Sequence, residues 1–83
     1  MKTIKEDLVL KEDLKLDDDL EVKGNIRCKG GLWNIDCWNI DCWNIDCWNI
    51  NCRNINCEDI NCRNLDCWNI DCEDINCWFI FRL

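Results

Sequence analysis

The sequence predicts an all-β solenoid, a chain that winds into stacked coils of short strands. From Trp33 to Arg82 it divides into ten consecutive five-residue units, nine of which read [Trp/Arg/Glu]-[Asn/Asp]-[Ile/Leu]-[Asp/Asn]-Cys. A period of five fits neither the helical period of about 3.6 residues nor the strand period of about two. Within each unit two apolar residues stand two positions apart, so they share one face of an extended backbone. Short strands joined by regular corners satisfy both observations.

The first third of the chain carries a related unit that is one residue longer. Four hexads begin at Asp7, Asp13, Asp19 and Asn25, and they share with the pentads the tetrad [Asp/Asn]-[Leu/Ile]-x-[Leu/Val/Cys]. Because a longer perimeter needs larger side chains to fill its interior, we expect wide coils first and narrower coils later. The sequence thus predicts one array of fourteen units, four hexads followed by ten pentads.

The second and fourth tetrad positions of the pentads form the predicted core. The aliphatic positions are Ile35, Ile40, Ile45, Ile50, Ile55, Ile60, Leu65, Ile70 and Ile75. The small positions are Cys37, Cys42, Cys47, Cys52, Cys57, Cys62, Cys67, Cys72 and Cys77. Asn or Asp before the aliphatic residue suits corners, because these side chains hydrogen-bond local amides, and stacked coils would align them in ladders.

We expect three segments along this array. Residues 1–32 form an N-terminal hexad-repeat cap or first wide coil, 33–77 the pentapeptide-repeat solenoid, and 78–83 a C-terminal hydrophobic cap or docking strand. The three glycines (Gly24, Gly30 and Gly31) lie where the repeat length changes. The residues leave open whether three pentads, or four, complete one turn.

Residues 33–82 resemble the pentapeptide-repeat family, whose units pair a large central aliphatic with a small inward residue next to Asn or Asp. Asn34-Ile35-Asp36 and its copies carry the likeness. The resemblance implies a right-handed quadrilateral β-helix with four units per turn. In that family the small residue usually stands two places before the aliphatic, whereas Cys37 stands two places after Ile35, so the inward pair is exchanged.

Ten cysteines in 83 residues raise the question of whether the chain forms disulfides or binds a metal ion. Their single fixed place in each unit favours space-filling, because free cysteine behaves as a small buried hydrophobe. No histidine occurs, and a Cys-x4-Cys spacing is not that of a zinc knuckle, so we expect no bound metal or cofactor. In a four-sided coil the pairs close enough for a disulfide would be 20 residues apart, such as Cys37 with Cys57.

The spacer position of the pentads points outward and holds the tryptophans. Four units per turn would stack Trp48 over Trp68, whereas three would align Trp38, Arg53 and Trp68 in a cation–π column. The indoles either shield the backbone at the corners or form an exposed apolar surface that binds a partner. The candidate interaction residues are Trp33, Trp38, Trp43, Trp48, Trp68, Trp78, Phe79 and Phe81.

The formal net charge of −7 disfavours direct nucleic-acid binding, because phosphates would be repelled. No unit carries a nucleophile with a base, and paired carboxylates such as Glu58-Asp59 lie on a regular surface without a desolvated cleft, so we expect no enzyme. An apolar run long enough to span a bilayer and a secretion signal are both missing from the sequence, which favours a cytoplasmic protein without membrane contact.

The sequence therefore favours a non-enzymatic structural or interaction element that associates through its ends with itself or with another protein. The family resemblance implies an alternative from another class, an acidic rod that imitates DNA and inhibits or protects a type II topoisomerase.

Overall fold

The chain forms a three-sided β-solenoid in a computed structural model that describes residues 1–81, with Phe81 described by its backbone alone. Eleven strands make up one sheet in which every pairing is parallel. They are β1 (Lys2–Ile4), β2 (Leu8–Leu10), β3 (Leu14–Lys15), β4 (Leu20–Val22), β5 (Ile26–Cys28), β6 (Asn34–Asp36), β7 (Asn39–Asp41), β8 (Asn44–Asp46), β9 (Asn49–Asn56), β10 (Asp59–Asp71) and β11 (Asp74–Phe81). The predicted all-β solenoid is confirmed, and no helix that could cross a membrane occurs among residues 1–81.

The strand register defines three faces, each a column of five stacked segments. Face A stacks the aliphatic positions of β1, β4, β7, β9 and β10, from Lys2 through Leu20 and Ile40 to Ile70. Face B stacks those of β2, β5, β8, β10 and β11, from Leu8 to Ile75. Face C runs from Leu14 in β3 through β6, β9 and β10 to Ile80 in β11. Three faces and five levels give five coils, beginning at residues 1, 19, 39, 54 and 69.

The four-sided geometry implied by the family resemblance is wrong for this chain. Ile60 pairs with Ile75 and Leu65 with Ile50, so neighbouring coils are fifteen residues apart, which is three pentads. One isoleucine or leucine and one cysteine from each of three sides fill the interior of a pentad coil. Ile55, Ile60 and Leu65 of one such coil are 0–2% exposed, so three sides enclose a filled interior.

The hexad region forms the wider coils that its longer units predict. Lys2 pairs with Leu20 and Leu8 with Ile26, so three hexads complete a turn of eighteen residues. The array also contains a fifteenth unit, which sequence analysis missed, at residues 1–6. Its pattern is hidden because Met1 stands at the usual Asn/Asp position and Lys2 at the aliphatic one.

The two kinds of coil meet at a corner loop that follows β5. Gly30 adopts a φ of 81° there, a left-handed conformation that side chains with a Cβ rarely take. A Cβ on Gly31 would lie 2.6 Å from Cζ2 of Trp33. The indole nitrogen of Trp33 donates to the carbonyl of Lys29 at 2.9 Å, which closes the loop. The glycines at the junction are therefore required by a turn and by a close contact.

Asparagine ladders run up two faces at the corner positions. On face C, Asn64 donates to Asn49 and Asn49 donates to Asn34, both at 2.6 Å. On face A, Asn69 donates to Asn54 at 2.8 Å, and the ladder continues to Asn39 and Asp19. On face B the register places Asp59 beside Asp74, and two carboxylates provide no donor to continue such a ladder. Face B therefore lacks this support between its last two coils.

Candidate functional site

The last coil leaves predicted core residues exposed, and we call its open side the tail face. It consists of residues 69–81, which include the last three residues of β10 and all of β11. Ile60 is 1% exposed, but its neighbour Ile75, one coil later on the same face, is 37% exposed. Phe79 and Ile80 are 53% and 44% exposed. The tail face is therefore an exposed apolar patch at one end of the solenoid.

The backbone of the tail face is open as well. The Cys57 amide donates to the carbonyl of Asp71 at 3.1 Å, and the Glu73 amide donates to Glu58 at 2.9 Å, so both groups point back toward the fourth coil. Alternate residues of a strand direct their backbone groups to opposite sides, so those of Ile70 and Cys72 point away from the solenoid. No strand pairs with this edge within residues 1–81. Such an edge is a template for pairing with another strand.

Charge on the tail face has one sign. Residues 69–81 contain Asp71, Glu73 and Asp74 and no lysine or arginine. All three carboxylates are exposed. The tail face thus combines apolar side chains and free backbone groups with a negative border.

The sequence predicts three interaction residues in the C-terminal segment, Trp78, Phe79 and Phe81. Trp78 and Phe79 lie on the tail face and are exposed. The strand position of Phe81, opposite Asp66, is described, but its side chain lies outside the described part of the chain. Ile70, Ile75 and Ile80 also belong here, together with the partly buried Cys72 and Cys77. The sequence places Ile70, Ile75, Cys72 and Cys77 in the core, and their place in the last coil is the one signal that sets them apart.

The remaining tryptophans stand at the three corners. One corner stacks Trp48, Arg63 and Trp78, another stacks Trp38, Arg53 and Trp68, and the third stacks Trp43, Glu58 and Glu73. The stacking of Trp48 over Trp68 expected for four units per turn is therefore wrong, and the three-unit alignment of Trp38, Arg53 and Trp68 is the one present. Trp33 is an exception among the indoles, because it is half-buried against the core beside the junction loop.

Arginine at a corner lies against indole rings. The Arg63 guanidinium carbon is 5.4 Å from the Trp48 ring centre and 4.9 Å from that of Trp78, so the cation lies between two rings. Arg53 lies 5.1 Å from the ring of Trp38. These are cation–π distances. The arginines at both corners thus have aromatic partners within the chain. A shallow depression of about 170 Å³ lies beside Trp48, Arg63 and Trp78.

We expect Arg63→Ala to lower the free energy of unfolding by about 1–2 kcal/mol, since it removes two cation–π contacts of an exposed arginine. Glu58→Ala is the matched control, because it occupies the same place in the repeat at a corner without such contacts, and should change stability by about 0.5 kcal/mol or less. Urea unfolding followed by tryptophan fluorescence measures both. Equal effects of the two changes would contradict a stabilising role for the arginine.

The cysteines form three vertical ladders inside the solenoid. In-register partners are fifteen residues apart, so the expectation of disulfide-eligible pairs 20 apart, such as Cys37 with Cys57, is wrong for the same reason as the four-sided coil. The Sγ atoms of Cys62 and Cys77 are 2.8 Å apart, and those of Cys52 and Cys67 are 3.4 Å apart. All ten cysteines are free thiols.

Burial suppresses the acidity of these thiols. Desolvation raises the pKa of Cys37 from 9.0 to about 12. It also raises the pKa of Cys47, Cys52 and Cys62, while the hydrogen bond with Cys42 is the main cause at Cys57. Thiolate is the form that attacks electrophiles and binds metal. No group of three or more cysteine or carboxylate side chains within residues 1–81 is arranged to hold a metal ion. The buried cysteines of these ladders pack in the hydrophobic core with the aliphatic residues.

No protein-family model, curated protein or solved structure matches the chain.

Proposed function

We propose that the protein is a non-enzymatic structural element that associates with further copies of itself through the tail face. The observation that carries the proposal is the exposed apolar patch of Ile75, Phe79 and Ile80 on a sheet edge that no strand covers within residues 1–81. Exposed apolar patches next to polar borders are typical of protein interaction sites. An open strand edge adds backbone hydrogen bonds to that attraction.

The repeat itself supports a second copy as the occupant of this face. A solenoid buries its apolar positions only by stacking one coil on the next, and a terminal coil has no neighbour to do so. The nearest match to a coil of this shape is a coil from the same chain. A partner of that kind would cover the apolar positions and pair the backbone edge at once.

Phe79→Asn tests the proposal with little risk to the fold. Phe79 lies opposite Asn64, at the top of the ladder of asparagines on face C, so the change extends that ladder and removes an exposed apolar ring. We expect the wild-type mass in solution to rise with concentration and Phe79→Asn to weaken association by tenfold or more. Sedimentation velocity over a concentration series provides the measurement.

Trp43→Asn is the matched control, because Trp43 is 58% exposed but lies on the flank of a middle coil. It should leave the association constant unchanged. A wild-type protein that stays monomeric at every concentration would refute the proposal. Equal weakening by the two variants would show general stickiness of the surface and would refute the assignment to the tail face.

A further inference from the structure

We infer, on the basis of the self-association proposed above, that the tail face of one copy stacks on the first coil of the next copy. The open edge of that first coil, formed by β1, β2 and β3, is called the head face here. The two faces differ in sequence and in charge. Stacking between them is head to tail, and it continues the parallel sheet from one copy into the next.

The free backbone groups of the two faces are complementary in position. The Leu8 amide donates to Asn25 at 2.8 Å, and the Leu10 carbonyl accepts from Lys29 at 2.9 Å, so both residues point toward the second coil. The backbone groups of Val9 between them therefore point out of the head face. On the tail face the outward groups belong to the second and fourth tetrad positions, as at Ile70 and Cys72. Within the chain, successive coils are joined by the same arrangement, in which the second and fourth positions of one coil bond to the next coil.

The difference in perimeter between the two ends does not prevent such stacking. The hexad strands β4 and β5 pair in register with the pentad strands β7 and β8. The additional residues are accommodated at the corners, as in the loop that contains Gly30. The chain itself thus contains an interface between a wide coil and a narrow one.

The first coil carries lysines, which residues 69–81 lack. The lysines Lys2, Lys5, Lys11 and Lys15 are all exposed on the first coil. The only ion pair within the described residues joins the Met1 amino group to Asp18, so these lysines have no carboxylate partner there. Residues 1–18 also carry six carboxylates, whereas residues 69–81 carry three carboxylates and no lysine or arginine. The lysines of the first coil are therefore cations that the tail face lacks, and they are available to its three carboxylates.

Two of the six carboxylates of the first coil point away from its open edge. Asp7 accepts the Asn25 amide at 2.8 Å, and Asp13 accepts the Asn34 amide at 2.8 Å. Both partners lie in the second coil, so these negative charges are directed inward along the solenoid. The open side of the head face therefore keeps its lysines while part of its negative charge is satisfied elsewhere.

Apolar groups are also available on both faces. Ile4, Leu8 and Leu14 are partly buried against the core and have no coil beneath them. Leu8 and Leu14 occupy the tetrad position that Ile75 and Ile80 occupy on the tail face, and Ile4 occupies that of Cys72. Head-to-tail stacking covers both sets, whereas tail-to-tail stacking would bring two copies of Asp71, Glu73 and Asp74 together. A heterologous contact of this kind leaves a free end on every assembly, so the expected product is an open chain of copies.

Two blocked variants test the arrangement. The head-blocked variant carries Thr3→Pro and Val9→Pro, because proline removes an outward amide from an edge strand without breaking its bonds to the inner neighbour. The tail-blocked variant carries Ile75→Pro and Phe79→Asn. Circular dichroism tests whether both are folded. If proline unfolds the head, Lys5→Glu with Lys11→Glu replaces it as the head-blocked variant.

We expect each variant alone to be a monomer and an equimolar mixture to form a dimer, since each variant keeps the one face that the other lacks. Sedimentation velocity of the mixture, with one variant fluorescently labelled, detects that dimer. A head-blocked variant that dimerises alone would indicate tail-to-tail contact and overturn this inference, while the proposed self-association would stand. A mixture that remains monomeric also overturns it. A monomeric wild-type protein would instead refute the proposed function itself.

Discussion

Raising the pH above about 9 should unfold this protein cooperatively, because its core contains thiols that the folded state keeps protonated. Burial raises the pKa of Cys37 from 9.0 to about 12 and raises those of Cys47, Cys52 and Cys62 as well. Cys57 behaves in the same way through its hydrogen bond with Cys42. In the unfolded chain all five would titrate near their ordinary value.

The direction of this pH effect follows from the number of protons that each state binds. Below pH 9 both states hold the protons, and the stabilisation is fully present. Above it the unfolded state loses protons that the folded state retains, so stability falls until the folded-state pKa is reached. Each such thiol contributes a slope of about 1.4 kcal/mol per pH unit, and five of them give about 7. A chain of this size has a total stability of roughly 4–12 kcal/mol, which places the midpoint about one to two units above pH 9.

Circular dichroism and thiolate absorbance, recorded together under reducing conditions from neutral to strongly alkaline pH, measure this transition. We expect the β signal to disappear and the thiolate signal to appear in a single step. Cys52→Ala should lower the slope of stability against pH by about 1.4 kcal/mol per unit, whatever the cavity costs at neutral pH. Thiolate that accumulates while the β signal is unchanged would show that the thiols are not protected.

The core and the outward tryptophans could be predicted from the sequence because they depend on alternation, which a strand imposes locally. Ile35 and Cys37 lie two residues apart and both are buried, while Trp38 falls on the outside. The number of sides could not be predicted in the same way. It depends on the angle at each corner, and the same pentad with an Asn or Asp corner is compatible with three sides or four.

The ends of the array could not be predicted for a different reason. Burial of Ile70 and Ile75 depends on whether another coil follows, which the pattern within one unit does not indicate. Lys2 conceals the first unit, because an exposed lysine is tolerated at an aliphatic position where no coil lies beneath. The tail face consists of residues that the repeat marks as core, and only the stacked structure identifies them as a surface.

Ile60→Ala should lower the free energy of unfolding by about 3–4 kcal/mol, whereas Ile75→Ala should lower it by about 1 kcal/mol. The two residues make a matched pair, since they have the same identity, the same place in the repeat and neighbouring places on face B. Ile60 is covered by a coil on each side and is 1% exposed, so its truncation leaves a cavity. Ile75 is 37% exposed, and water can fill the space that its truncation opens.

Urea unfolding at a concentration low enough to keep the protein monomeric measures both changes. The two substitutions should have the opposite order of effect on self-association, because Ile75 lies on the tail face and Ile60 is enclosed. Ile75→Ala weakens self-association, and Ile60→Ala leaves it unchanged as long as the variant is folded. Equal losses of stability would mean that Ile75 is covered within the monomer by a further coil. The two variants thus make the same substitution in neighbouring coils of face B. A larger loss of stability for Ile60→Ala and a larger loss of association for Ile75→Ala would show that Ile60 is in the interior and Ile75 at the open end.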